Sequence, residues 1–135
     1  MWKDVYSIGD DTIDEQHRGL FAYVENLIRT LMEDDLAEEA YQAHISMSLA
    51  YMKNYAVKHF ADEEAYAIEI GFADAAAHKE MHEAFKLDVA AYEAELVESE
   101  FDKRAVKKFL TFVLEWLIHH VGYEDRKLAK SANDN

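Results

Sequence analysis

Six side chains able to bind a metal stand where helical periodicity would place apolar core residues: His17, His59, Glu63, His78, His82 and His120. A buried neutral imidazole needs a hydrogen-bond partner, and a buried carboxylate is costlier still unless paired or held by a cation. Six such intrusions demand a common cause. His59 and Glu63 are four residues apart, as are His78 and His82, so each pair stacks on one helix face and can reach one ion. His120 is followed by Glu124 at four residues and Asp125 at five. Ideal helical spacing favours Glu124, and spacing alone leaves both open. The chain has no Cys, which restricts any metal to nitrogen and oxygen donors. Five imidazoles and two carboxylates exceed what one tetrahedral or octahedral ion needs, so the count points to two metals sharing bridging carboxylates. Iron leads on donor chemistry, with zinc and manganese also compatible. A bridging oxide or hydroxide would reduce the positive charge that two divalent ions leave over.

The elements that must position these donors can be read from the same pattern. Pro is absent and Gly occurs four times, at Gly9, Gly19, Gly71 and Gly122, too little turn punctuation for a set of short strands. Steps of three and four run through Ile13, His17, Leu20, Val24, Leu27 and Leu31, and again through Ile45, Leu49, Met52, Ala56, His59 and Glu63. A third stripe joins His78, His82, Phe85, Val89, Tyr92 and Leu96, and a fourth joins Val106, Leu110, Val113, Leu117 and His120. The expected architecture is all-α: an antiparallel up-down-up-down four-helix bundle, in one domain over 1–135, with an arm at 1–11 and helices at 12–33, 37–66, 74–97 and 102–129. Asp11 or Thr12 is expected to cap the first helix and Gly71 to close the second, with breaks at Glu33-Asp34-Asp35 and Glu98-Ser99-Glu100. The tail from Ser131 to Asn135 is expected to fray. In an antiparallel bundle the start of an odd helix neighbours the end of an even one. All six intruding donors therefore meet at one end of the interior.

Composition narrows the function classes. Asp and Glu number 28 against 14 Lys and Arg, a formal charge of −14, the wrong sign for a phosphate backbone. Nucleic acid is excluded as an expected partner. The first residues, MWKDVYSIGDD, lack a cationic start followed by a long apolar stretch, and no run approaches the roughly 20 apolar residues that span a bilayer. The chain reads as soluble and cytoplasmic, without membrane insertion.

Four segments together resemble the hemerythrin family, specifically its single-domain bacterial members: Ile13-Asp14-Glu15-Gln16-His17, the HFADEE run from His59 to Glu64, the HKEMH run from His78 to His82, and Trp116 to Asp125. They span nearly the whole chain. The resemblance implies that His78, His82 and His120 bind one iron and His17 and His59 the other, with Glu63 and Asp125 and an oxide or hydroxide bridging them. It thus selects Asp125 over Glu124. It further implies dioxygen as the ligand of the iron that carries two histidines, with Leu20, Phe60, Trp116, Leu117 and Val121 as apolar walls around that site. Two features depart from the family pattern: Ala73 follows Gly71-Phe72 where a proline is common, and His119 doubles His120, of which only His120 continues the core stripe.

Reversible dioxygen binding for storage, delivery or buffering is the expected function. A redox- or oxygen-sensing module working through a separate partner is the second reading, and a di-iron enzyme acting on peroxide or nitric oxide the third. Oxygen-activating carboxylate bundles use Glu-x-x-His pairs, and no Glu stands three residues before a His in this chain. Tyr123, or a tyrosine from another helix, is the candidate proton donor. His44 and His119 are expected at the surface, Trp2 and Tyr6 as a lid over the bundle, and Met47, Met52 and Met81 as packing.

Overall fold

The computed structural model describes residues 2–32 and 37–134. It is an all-α four-helix bundle: α1 (Asp11–Met32), α2 (Glu38–Glu69), α3 (Ala75–Glu98) and α4 (Lys103–His119), followed by a π-helical turn (His120–Glu124) and a short α5 (Arg126–Asp134). α1 packs on α2 and α4, and α3 on α2 and α4, as in an antiparallel ring of four. The arm holds one 3-10 turn, Asp4–Tyr6. The expected Glu33-Asp34-Asp35 break lies outside the described residues.

The four stripes supply most of the interior. Ile13, Leu20, Val24 and Leu27 of α1, Ile45, Leu49 and Met52 of α2, Phe85, Val89 and Leu96 of α3, and Val106, Leu110, Val113 and Leu117 of α4 are all buried. They belong to two clusters of unequal size. The larger contains Leu20, Phe60 and Val121; the smaller consists of Ile8, Ile13, Ala67 and Leu128. His17 falls between Ile13 and Leu20 on α1, Glu63 between Phe60 and Ala67 on α2, and Asp125 between Val121 and Leu128. The polar donors thus form a layer closed on both sides by carbon.

Local chemistry explains the helix ends. Asp10, rather than Asp11 or Thr12, caps α1: its Oδ2 accepts from Ile13 N at 3.0 Å, because the helix starts one residue earlier than expected. Asp14 is buried one turn on and ties down the arm, accepting from Ser7 Oγ, from Ile8 N at 2.8 Å and from Gly9 N at 3.3 Å. Gly71 does close α2. It takes φ of +67°, and Phe72 N donates to Ala67 O while Gly71 N donates to Ile68 O, a Schellman pair. The same pair ends α3 at Leu96 and Val97, but there the left-handed position falls on Glu100 (φ 56°), and Phe101 comes next at 58°. Asp102 then caps α4 through Arg104 N and Ala105 N.

Three expectations need correction. The tail does not fray over Ser131 to Asp134, where helix continues because Leu128, completely buried in the smaller cluster, anchors α5; Asn135 lies outside the described residues. Met47 does not pack inward but lies exposed, whereas Met52 is buried. The last long helix does not run regularly through 102–129, since the π turn interrupts it at His120. The arm does form a cover: Tyr6 stacks on Phe21 at 5.7 Å between ring centres, and Trp2 meets both rings edge-on.

Candidate metal centre

α1 brings His17, α2 His59 and Glu63, α3 His78 and His82, the π turn His120, and the residue after it Asp125. All seven are buried, none with more than 2% of its surface exposed. They form two sets whose donor atoms lie within 4.8 Å of one another: Glu63 with His78, His82 and His120, and Glu63 and Asp125 with His17 and His59.

The carboxylates divide between the sets. Glu63 Oε1 lies 2.7 Å from His78 Nε2, 3.1 Å from His82 Nε2 and 3.5 Å from His120 Nε2. Its Oε2 lies 2.9 Å from His17 Nε2 and 3.2 Å from His59 Nε2. Asp125 repeats the division, with Oδ1 3.0 Å from the Nε2 atoms of His78 and His120 and Oδ2 3.0 Å from that of His17. Every imidazole therefore turns Nε2 inward. Despite this proximity, both Asp125 oxygens are completely buried and accept no well-directed hydrogen bond. Orphaned buried oxygens beside converging ring nitrogens are what a cation between them would satisfy. The residues fit a pair of metal ions with N/O coordination.

The π turn explains Asp125. Asp125 N donates to His120 O at 2.7 Å, a bond across five residues that widens the helix by one position. Asp125 consequently stands over His120, where a regular helix would have put Glu124. The Glu124 carboxylate instead meets Lys127 Nζ at 3.1 Å. Gly122 sits in this turn against Tyr6, whose Cε1 would be 3.0 Å from an added Cβ, so the arm closes directly over the irregular backbone.

Electrostatically, the cluster balances itself with protons when no metal is bound. Burial pulls His17 down, but the carboxylates of Asp125 and Glu63 more than offset this and raise it to about 9. His78 is raised to about 10 by the same opposition, and His120 is also raised. Burial wins at His59, which is lowered. For Glu63, burial is opposed by the imidazoles gathered around its carboxylate, His120 and His17 foremost, which hold it well below the usual range. Asp125 is lowered too, His120 and His17 prevailing over burial and the neighbouring Glu63.

Behind the inward-facing nitrogens lie residues that sequence reasoning did not single out. His82 Nδ1 donates to Glu64 Oε2 at 2.9 Å. His59 Nδ1 donates to Gln16 Oε1 at 2.9 Å, and Gln16 Nε2 donates to Asp62 Oδ2 at 2.7 Å. Gln16 and Glu64 adjoin His17 and Glu63 in the chain and lie within the segments that carry the family resemblance, which were the signals available.

The proposed apolar walls are placed unevenly. Leu20, Phe60, Leu117 and Val121 are buried and Trp116 half-buried. Phe60 stacks on His82 at 4.1 Å and Trp116 on His120 at 4.2 Å, so both rings cover the three-histidine group, although Phe60 also lies 5.7 Å from the His59 ring. Tyr123 does not reach in: it is exposed, stacked on His119 and under Lys127. His44 and His119 face solvent as expected.

Residues 8–132 match the family described as Hemerythrin HHE cation binding domain. A bacteriohemerythrin of Clostridium acetobutylicum is 30% identical over 127 residues, covering 94% of this chain and 96% of the relative. Another from Stenotrophomonas maltophilia is 30% identical over 96% of this chain and 78% of its own length. A hemerythrin-like protein of Naegleria gruberi is 25% identical over 93% of this chain and 87% of its own. With a family match over almost its full length, laid over a bundle whose buried donors form two carboxylate-bridged sets, this chain belongs to the hemerythrin family.

Proposed function

We propose that the chain holds two iron ions with a bridging oxide or hydroxide and takes up and releases dioxygen reversibly, serving as an oxygen store, carrier or buffer. The observation that carries this reading is the division of Glu63 and Asp125. Each carboxylate turns one oxygen toward His78 and His120 and the other toward His17. Three imidazoles would thereby hold one ion and two the other, with Glu63 and Asp125 serving both, so the second ion would have fewer protein donors and room for an added ligand. When bound, an iron pair supplies the electrons and the open position that dioxygen needs.

The protein's own part is to hold, orient and dry. His78, His82 and His120 would hold one ion, His17 and His59 the other, and Glu63 and Asp125 both. Leu20, Phe60, Leu117 and Val121, with the broad face of Trp116, keep bulk water and its protons away. Tyr123 faces outward, leaving the neighbourhood without that proton donor and favouring binding over turnover. The names of the bacterial relatives support the same reading. Visible spectra of the reduced, iron-loaded protein test it. A charge-transfer band should rise in air and vanish under vacuum over repeated cycles. Irreversible bleaching, or steady consumption of peroxide, would contradict it.

A further inference from the structure

The two positions differ in what stands behind their histidines, and this inference rests on the two-metal reading of the site. Behind the three-histidine group, His82 Nδ1–H meets a carboxylate, Glu64. Behind the two-histidine group, His59 Nδ1–H meets a neutral amide, Gln16, while His17 Nδ1 is buried with no hydrogen-bond partner among the described residues.

Gln16 is only 8% exposed, so its orientation is a matter of energy. Its Nε2 donates to Asp62 Oδ2, which also accepts from Lys58 Nζ at 2.9 Å. Reversing the amide would aim its oxygen at the Asp62 carboxylate and its NH2 at His59 Nδ1, breaking a good contact and forcing the imidazole proton onto Nε2. Asp62 therefore dictates which end of Gln16 faces inward, and Gln16 dictates which nitrogen of His59 carries the proton. Only with that proton on Nδ1 does Nε2 offer a lone pair to a metal.

We propose that Gln16 is the positioning residue of the two-histidine position: clamped from the surface by Asp62 and Lys58, it locks the metal-competent tautomer of His59, and its neutral character leaves this position the weaker of the two holds. A carboxylate partner strengthens an imidazole donor by drawing on its proton, and an amide does so less. With one fewer imidazole and a neutral partner behind His59, this side fills last and empties first.

The test is an anaerobic titration of metal-free protein with Co2+, followed by its visible spectrum, together with nitrogen NMR of the histidines. The original protein should take up two ions in separate steps, with His59 protonated at Nδ1 beforehand. Gln16→Leu should weaken the second step by about 10- to 100-fold, leave the first unchanged and mix the His59 tautomers. Gln16→Glu combined with Asp62→Asn, which restores an acceptor behind His59 and a donor opposite it, should recover the second step. Asp62→Ala, altering only the outer end, should produce the same selective loss in smaller measure and remains informative if Gln16→Leu misfolds. Uptake of fewer than two Co2+ ions by the original protein would defeat the two-metal reading itself. Two ions bound normally, with Gln16→Leu and Asp62→Ala weakening neither step or both equally, would overturn the role of Gln16 alone.

Discussion

Asp125 and Glu124 are neighbours with opposite fates. Asp125 is completely buried against His17, His78 and His120, whereas Glu124, though also largely buried, turns away from the donors to bond Lys127. Asp125→Asn should therefore abolish binding of at least one metal, whereas Glu124→Gln should retain both, as metal analysis of the purified variants will show. Protons provide a second check at this scale. His17 and His78 hold theirs up to about 9 and about 10 in the folded, metal-free chain, against 6.5 when unfolded. Their stabilisation is complete below 6.5 and is lost as pH rises through those folded values. Glu63 and Asp125, lowered from 4.5 and 3.8, act in the opposite sense: their contribution is present above those values and is lost as pH falls through the folded ones. His59, also lowered, adds to the loss on the acid side. Denaturant midpoints of the metal-free protein should consequently peak close to the unfolded histidine value of 6.5 and decline progressively toward pH ~10. Metal uptake should do the reverse over the alkaline limb, strengthening as pH rises, because coordination requires neutral imidazoles and releases their protons. A metal affinity that is flat from pH 6 to 9 would contradict this linkage.

At the scale of elements, the π turn is the feature that makes the centre possible with this sequence. It inserts one residue between His120 and Asp125 without rotating α5, so removing an exposed residue from it should restore a regular helix and keep Asp125 in place. Deletion of Tyr123, which is 58% exposed, should preserve both metals; loss of either would show that the turn does more than set register. This element also marks the limit of what the chain discloses from its letters. The four stripes were legible because steps of three and four persist over many turns, and the donors were legible because they break those stripes. An extra residue in a helix leaves no periodic trace when it comes after the last stripe position. Simple spacing therefore favoured Glu124, and only the family resemblance pointed to Asp125. Gln16 and Glu64 were missed for a related reason. Polar side chains one step off a stripe look like surface residues, and their burial depends on a neighbouring helix.

For the molecule as a whole, the polar layer lies between the large apolar cluster and the small one built from Ile8, Ile13, Ala67 and Leu128. Metal binding and folding are therefore linked through the same chamber. Stripping the metals with a chelator should lower the unfolding temperature and restoring iron should recover it, since a ligand that binds only the folded state stabilises it. Glu63→Ala should both remove metal and destabilise the chain, by about 3–5 kcal/mol where imidazolium partners are left buried without their counter-charge. The central claim is that two cations account for seven donors gathered in a water-poor layer. Crystals of the iron-loaded protein, measured on both sides of the iron absorption edge, test it most directly. Two anomalous peaks are predicted, one among His78, His82 and His120 and one between His17 and His59, with Glu63 and Asp125 reaching both. A single peak, or none at this layer, would contradict the account.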